Sequence, residues 1–151
     1  MLDMSIHAAK IFLQDLYKSL LSVGLSPLIV NWDPTRVYSL QDKNIIFLFE
    51  LEKPFWRDLV AAPDGTGETS FLSVRDLILS SENMIWITGF ADPAAEMVVG
   101  IARVVRNENP GLNFRTINIF DTLNTRAAEL VSKCFVLRGA TQPDNTEFKL
   151  D

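Results

Sequence analysis

Short runs of strand-forming residues alternate along this chain with longer stretches of helical periodicity, and that alternation leaves few architectures open. The first run is Pro27-Leu-Ile-Val-Asn-Trp32, bounded by Gly24 and by Asp33-Pro34 and read here as the first strand. The second, Lys43-Asn-Ile-Ile-Phe-Leu-Phe-Glu50, is nearly continuous in its hydrophobicity, as a strand buried on both faces of a parallel sheet would be. Asn83-Met-Ile-Trp-Ile-Thr88 is the third, and Phe114-Arg-Thr-Ile-Asn-Ile-Phe120, which alternates large apolar with polar residues, is the fourth.

Helical signals fill the spaces between and around these runs. From Met4 to about Val23, Ile6, Ala9, Leu13, Leu16, Tyr17, Leu20 and Leu21 recur at helical spacing, and Gly24 is a natural stop. Thr69 or Ser70 is expected to cap a crossover helix whose Phe71, Val74, Leu77 and Ile78 form one face. Asp92-Pro93 reads as the N-cap and first residue of the next helix, with Met97, Ile101, Val104 and Val105 as its apolar stripe. Arg103 and Arg106 suit the negative end of its dipole, and Asn109-Pro110-Gly111 stops it. Asn124 can cap a last helix carrying Ala127, Leu130, Val131 and Cys134 on one side, and the remainder from Gly139 to Asp151 is polar. Layer packing turns this order into an α/β domain: a truncated Rossmann-like three-layer fold with a mostly parallel sheet and helices on both faces. At 151 residues and 48% hydrophobic content, one domain covering residues 1–151 is expected.

Charge and composition exclude several functions. A net charge of −5 leaves no basic patch to displace counterions from a nucleic-acid backbone. One cysteine, Cys134, and one histidine, His7, cannot form a disulfide or a structural zinc site, which fits a reducing, cytoplasmic setting. Asp3, His7, Lys10, Asp15 and Lys18 interrupt the apolar residues of the first helix, so it reads neither as a leader nor as a membrane span.

The chemistry usually carried by such a fold is absent. A dinucleotide site needs glycines in a strand-to-helix turn so that backbone can approach the pyrophosphate, and no G-x-G-x-x-G occurs. Gly65-x-Gly67 is followed by Ser70 where a third glycine belongs, and Thr88-Gly89 follows a strand but leads into Phe90, Ala91, Asp92 and Pro93. A short-chain reductase also needs a lysine four residues after its tyrosine, on the same helical face, to lower the phenol's pKa. Tyr17 is followed at that spacing by Leu21 and Tyr38 by Asp42, with Lys43 one residue too far.

Weaker constellations have plainer explanations. Cys134 and His7 resemble a nucleophile and base, but Cys134 falls on an apolar stripe, where free cysteine behaves as a small hydrophobe. Glu50 and Glu52 share one side of an extended segment, where solvation at a strand end accounts for them; Asp33 starts a turn with Pro34. Met84, Trp86 and Phe90 read as packing residues, whereas Trp56, in a polar segment, is a candidate exposed anchor for a partner. No catalytic, cofactor-binding or metal-binding residue is therefore assigned, and no cofactor is expected.

The run Gly100-Ile-Ala-Arg-Val-Val-Arg-Asn-Glu-Asn-Pro-Gly-Leu112, followed by Phe114-Arg-Thr-Ile-Asn-Ile119, resembles the structural half of ketoreductase domains in iterative fungal highly reducing polyketide synthases. Phe47-Leu-Phe-Glu-Leu-Glu-Lys-Pro-Phe55, Met84-Ile-Trp-Ile-Thr-Gly89 and Asp144-Asn-Thr-Glu-Phe-Lys-Leu150 add to the resemblance, which is weakest in the first 40 residues and in the loop 61–69. The resemblance implies a non-catalytic pseudo-ketoreductase subdomain that packs on the NADPH-binding catalytic half, with an enoylreductase as a possible neighbour, and no nucleic-acid or membrane partner. Two other readings stand beside it. One is a small nucleotide-binding or reductase-like enzyme holding phosphate at Thr88 to Asp92. The other is a freestanding interaction module displaying Trp56 and the 61–69 loop.

Overall fold

A computed structural model of the chain describes residues 4–51, 55–56, 66–89, 93–119, 123–137 and 147–150. Four helices and four strands occur among them: α1 (Met4–Ser22), β1 (Asn44–Phe47), α2 (Thr66–Ser80), β2 (Asn83–Gly89), α3 (Pro93–Glu108), β3 (Asn113–Ile119), α4 (Thr125–Val136) and β4 (Glu147–Leu150). Short 3-10 segments cover Pro34–Leu40 and Phe49–Leu51. The strands form one sheet in the order β1-β2-β3-β4, and every pairing is parallel.

The sheet is covered on both sides, as a parallel sheet must be when its strands carry apolar residues on both faces. Ile85, Ile87, Ile117 and Ile119 point to the side occupied by α1 and α4, where Phe12, Leu16, Leu20, Ala128, Val131 and Phe135 meet them. Met84, Trp86 and Phe114 point to the opposite side, where α2 contributes Val74, Leu77 and Ile78 and α3 contributes Val98 and Ala102. The expected three-layer, Rossmann-like α/β arrangement is thus observed.

Local chemistry sets the ends of the elements. Gly24 adopts φ +82°, and Leu25 N donates to Leu20 O while Gly24 N donates to Leu21 O, a Schellman pattern that closes α1. Asp33 caps the first 3-10 segment by accepting from the Thr35 N–H at 2.9 Å and the Thr35 hydroxyl at 2.7 Å. Asn124 caps α4 through the Ala127 N–H at 2.9 Å. Arg106, in the last turn of α3, donates to Phe114 O and ties that helix end to β3.

Several expectations need correction. Pro27 to Trp32 is not a strand: it is irregular, and the sheet begins at Asn44. Strand propensity is realised only where a neighbour supplies a ladder, and none pairs with this run. The second apolar run is strand only to Phe47, because Phe49–Leu51 turns as a 3-10 segment. Helix α2 starts at Thr66, ahead of the expected cap at Thr69 or Ser70, with Glu68 in its first turn where the helix dipole favours an acid. Phe71 is 44% exposed, leaving Val74, Leu77 and Ile78 as the packed face.

The buried face of α3 is rotated from the expected one. Met97 and Val104 are 49% and 55% exposed, while Val98 and Ala102 are buried and Ile101 and Val105 pack beside them. The apolar arc of this helix, opposite Glu96, Arg103 and Asn107, is wider than the face it buries, so periodicity alone selects the wrong edge of the stripe; the small Ala102 suits close approach to the sheet. The fourth run is buried from Phe114 to Ile119, its polar residues included, because both faces are covered. The polar tail supplies a further strand, β4. The expected Asp92 cap, Glu52, Phe90, Phe120 and the loop residues 61–65 lie outside the described residues.

Truncating Trp86 to alanine is expected to lower stability by about 3–5 kcal/mol, since it empties the largest fully buried side chain. Leu28→Ala, at an 85% exposed position, should change it by less than about 0.5 kcal/mol. Urea denaturation of the two variants beside the parent chain measures both.

Candidate functional site

In open α/β sheets, ligands bind outside the carboxyl ends of strands where adjacent connections part to opposite faces. Here that place lies between β2 and β3: β2 leads into α3 on one face, and β3 leads into α4 on the other. Thr88 and Asn118 are register partners at these strand ends, on the α2/α3 side. They are 1% and 5% exposed, and Thr88 Oγ1 and Asn118 Oδ1 make no hydrogen bond.

Among the described residues the Thr88 hydroxyl stands at these strand ends as a donor without a partner. Asn118 Oδ1 accepts and cannot donate, and Glu96 places an acid in the first turn of α3, where an anion-binding helix end would be kept free of negative charge. Gly89, which could have allowed a cofactor to approach backbone, has another explanation. A Cβ built there would lie 2.7 Å from Leu51 Cδ2, so the missing side chain makes room for Leu51 and the 3-10 segment that carries it.

Beside this place, the face over β1 and β2 is filled by aromatic rings. Trp86 lies 4.3 Å from Phe47 between ring centroids and stacks on Trp56 at 5.9 Å with 17° between planes. Phe55 meets Phe47, Phe49 and Trp56 edge to face, and Trp32 does the same to Phe47 and Phe55. Such offset and T-shaped contacts add to the apolar area each ring buries. Trp56, expected as an exposed anchor, is only 5% exposed and belongs to this layer. The interaction-module reading loses its aromatic residue.

The other candidates are also placed by the structure. His7 is exposed on α1, Cys134 packs against the α1/α4 core, and no hydrogen bond joins them among the described residues. Burial raises the Cys134 thiol above its ordinary value, and the nearby Arg115 guanidinium opposes that shift in part. Glu50 sits in a 3-10 turn, where Oε2 accepts from the Phe55 N–H at 3.2 Å and so helps hold the aromatic layer. Tyr17 is half-buried on α1. No group of three His, Cys, Asp or Glu side chains able to hold a metal occurs among the described residues.

Arg115, which the sequence reading passed over as one polar position of an alternating strand, is the one buried cation of the central sheet among the described residues. It donates to Cys134 O at 2.6 Å, near the carboxyl end of α4, and to Asn83 Oδ1 at 3.1 Å. A guanidinium at a helix carboxyl end meets the negative pole of the dipole, which offsets part of its burial. Burial lowers its pKa, yet arginine keeps its charge in proteins. Its work is structural: it fastens α4 to the start of β2. Nothing in the period-two pattern distinguishes such a buried arginine from a solvated one.

The homologues of this chain are fungal polyketide synthases. The chain is 33% identical over 136 residues to the highly reducing polyketide synthase dmxL2 of Cryptosporiopsis sp., a match covering 88% of this chain and 5% of that protein. It is 31% identical over 111 residues to the highly reducing polyketide synthase Dhc3 of Alternaria cinerariae, covering 72% of this chain and 4% of that one. Against the reducing polyketide synthase rdc5 of Metacordyceps chlamydosporia, identity is 25% over 140 residues, or 93% of this chain and 5% of the other. The chain thus spans about one-twentieth of the length of the curated relatives it matches. No protein-family model matches it, and no solved structure does. No helix among the described residues is long and apolar enough to cross a membrane.

Two measurements probe the site. Gly89→Ala should cost about 1–3 kcal/mol through the clash with Leu51, and much less in the background of Leu51→Ala, as a double-mutant cycle in urea would read. The Cys134 thiol should alkylate with iodoacetamide more slowly in the folded chain than in urea-unfolded chain at the same mildly alkaline pH, because a raised pKa leaves less thiolate.

Proposed function

We propose that this chain is a non-catalytic, pseudo-ketoreductase subdomain of a reducing polyketide synthase, forming one structural unit over residues 1–151 that supports the catalytic ketoreductase half. The observation that carries the reading is the aromatic layer of Trp32, Phe47, Phe55, Trp56 and Trp86: it packs the sheet face over β1 and β2, beside the strand ends where a working reductase would hold its cofactor. Three further features agree with it. The glycine loop is missing, neither tyrosine has its lysine, and Gly89 serves Leu51. Similarity to fungal polyketide synthases supplies the setting.

On this reading the chain acts by packing. Its partner is the catalytic ketoreductase half of the same polypeptide, with the enoylreductase as a second neighbour, and the assembly is cytoplasmic. The chain binds no cofactor of its own, and NADPH belongs to the other half.

Titration calorimetry of the chain with NADPH is expected to give no binding heat at millimolar nucleotide, and a micromolar Kd would overturn the proposal. The catalytic half should gain solubility or ketoreductase turnover when this chain is supplied. An unchanged turnover and solubility would remove the supporting role.

A further inference from the structure

The residues Leu28-Ile29-Val30 combine two properties not found together elsewhere among the described residues. Their side chains are 85%, 54% and 46% exposed, and the backbone from Pro27 to Asn31 makes no hydrogen bond to the described residues. The exposed apolar residues of the helices differ in this respect. Met97 or Val104 stands on a helix that satisfies its own backbone.

The ends of the segment are fixed. Leu25 packs into the α1/α4 core, and Trp32 packs into the α2/α3 core against Phe47 and Phe55. The intervening residues therefore pass from one face of the sheet to the other while projecting their apolar side chains outward. Pro27 is tolerated at the start of a strand, and the β-branched Ile29 and Val30 favour one.

In an extended conformation Leu28 and Val30 point to one side and Ile29 to the other. All three are apolar, so a partner must provide cover on both sides as well as backbone groups to pair with. The edge strand of a second three-layer α/β unit meets both requirements; a groove between helices supplies no backbone ladder. The unit is to be sought in the same polypeptide, since the matched segment makes up only 5% of the relative dmxL2. A second copy of this chain is a poorer acceptor: its outer strands β1 and β4 are each four residues long, and β1 is preceded by the exposed, hydrophilic Gln41-Asp42-Lys43.

We propose that Pro27 to Asn31 adds as an edge strand to the sheet of the neighbouring α/β half, clasping the two halves together. This rests on the supporting role argued above and names the surface that performs it. Hydrogen exchange followed by mass spectrometry on the full-length synthase tests it, with chemical cross-linking on the same sample. Amides 28–31 should exchange about tenfold or more slowly in the synthase than in the 151-residue chain. Cross-links should join this segment to the ketoreductase half. Ile29→Asp should restore fast exchange at 28–31 and lower β-keto reduction, whereas Met97→Asp should leave both unchanged; circular dichroism of the short chain shows that each variant folds. Fast exchange at 28–31 with cross-links to the reductase present would overturn the strand addition and leave the supporting role standing. Fast exchange without those cross-links would overturn both. Protection that rises with concentration in the short chain, or cross-links between identical copies, would assign the segment to self-association and overturn the proposal.

Discussion

Everything in this fold is arranged around the parallel pairing of β2 and β3, seven residues each, with no exposed residue along β2 and only Asn113 partly open on β3. Two buried faces on one pair of strands require two separate layers of apolar cover. Helices α1 and α4 supply one, and α2 and α3 with the aromatic rings supply the other. The same demand explains why a charged residue is admitted at Arg115 only with the helix end of α4 and the amide of Asn83 to receive it. Burial this complete makes the sheet a rigid plate, and the elements at its margins take their positions from it.

The strand ends show what the fold has done with the place where its relatives in architecture bind ligands. A cofactor needs empty volume, flexible backbone approach and donors aimed at an anion. This chain offers aromatic rings in contact, a glycine whose space is taken by Leu51, and an acceptor oxygen on Asn118. The rings and the Gly89–Leu51 contact serve internal packing, whereas Asn118 Oδ1 stays without a hydrogen-bond partner. Trp56 illustrates the exchange: set in a polar stretch of sequence, it is pulled in by stacking on Trp86, and a residue that looked available to a partner became part of the core.

How much of this could be read in advance depended on whether the signal was local. Helix α1 and its Gly24 stop, the Asn124 cap of α4, and the strands at Asn83 and Phe114 were legible because capping and apolar runs act within a few residues. The strand expected at Pro27, the face of α3 and the exposure of Trp56 were not, since each is decided by what lies across space. Met97 and Val98 are equally apolar, and only the position of the sheet distinguishes them. The same holds for β4, whose Glu147-Phe-Lys-Leu150 becomes a strand through the edge that β3 offers. The missing glycine loop was plain in the sequence; the aromatic layer over β1 and β2 was visible only as separate residues. Crossover geometry was a partial guide. A uniform hand along the order β1-β2-β3-β4 would place every connecting helix on one face, and α4 departs from that.

The contrast between Leu28 and Trp56 carries the functional argument one step further. Both belong to stretches where sequence and structure disagree, but in opposite directions: an apolar run expected inside lies outside, and an aromatic expected outside lies inside. Leu28, Ile29 and Val30 are not exposed for want of a core, since Leu25 and Trp32 on either side are both packed. Exposure there costs solvation of apolar surface with no gain inside this unit. On the strand addition proposed above, the gain comes from the neighbour that covers the run. On the supporting role proposed above, the apolar run between the packed Leu25 and Trp32 is the surface that a neighbouring unit would complete as a strand.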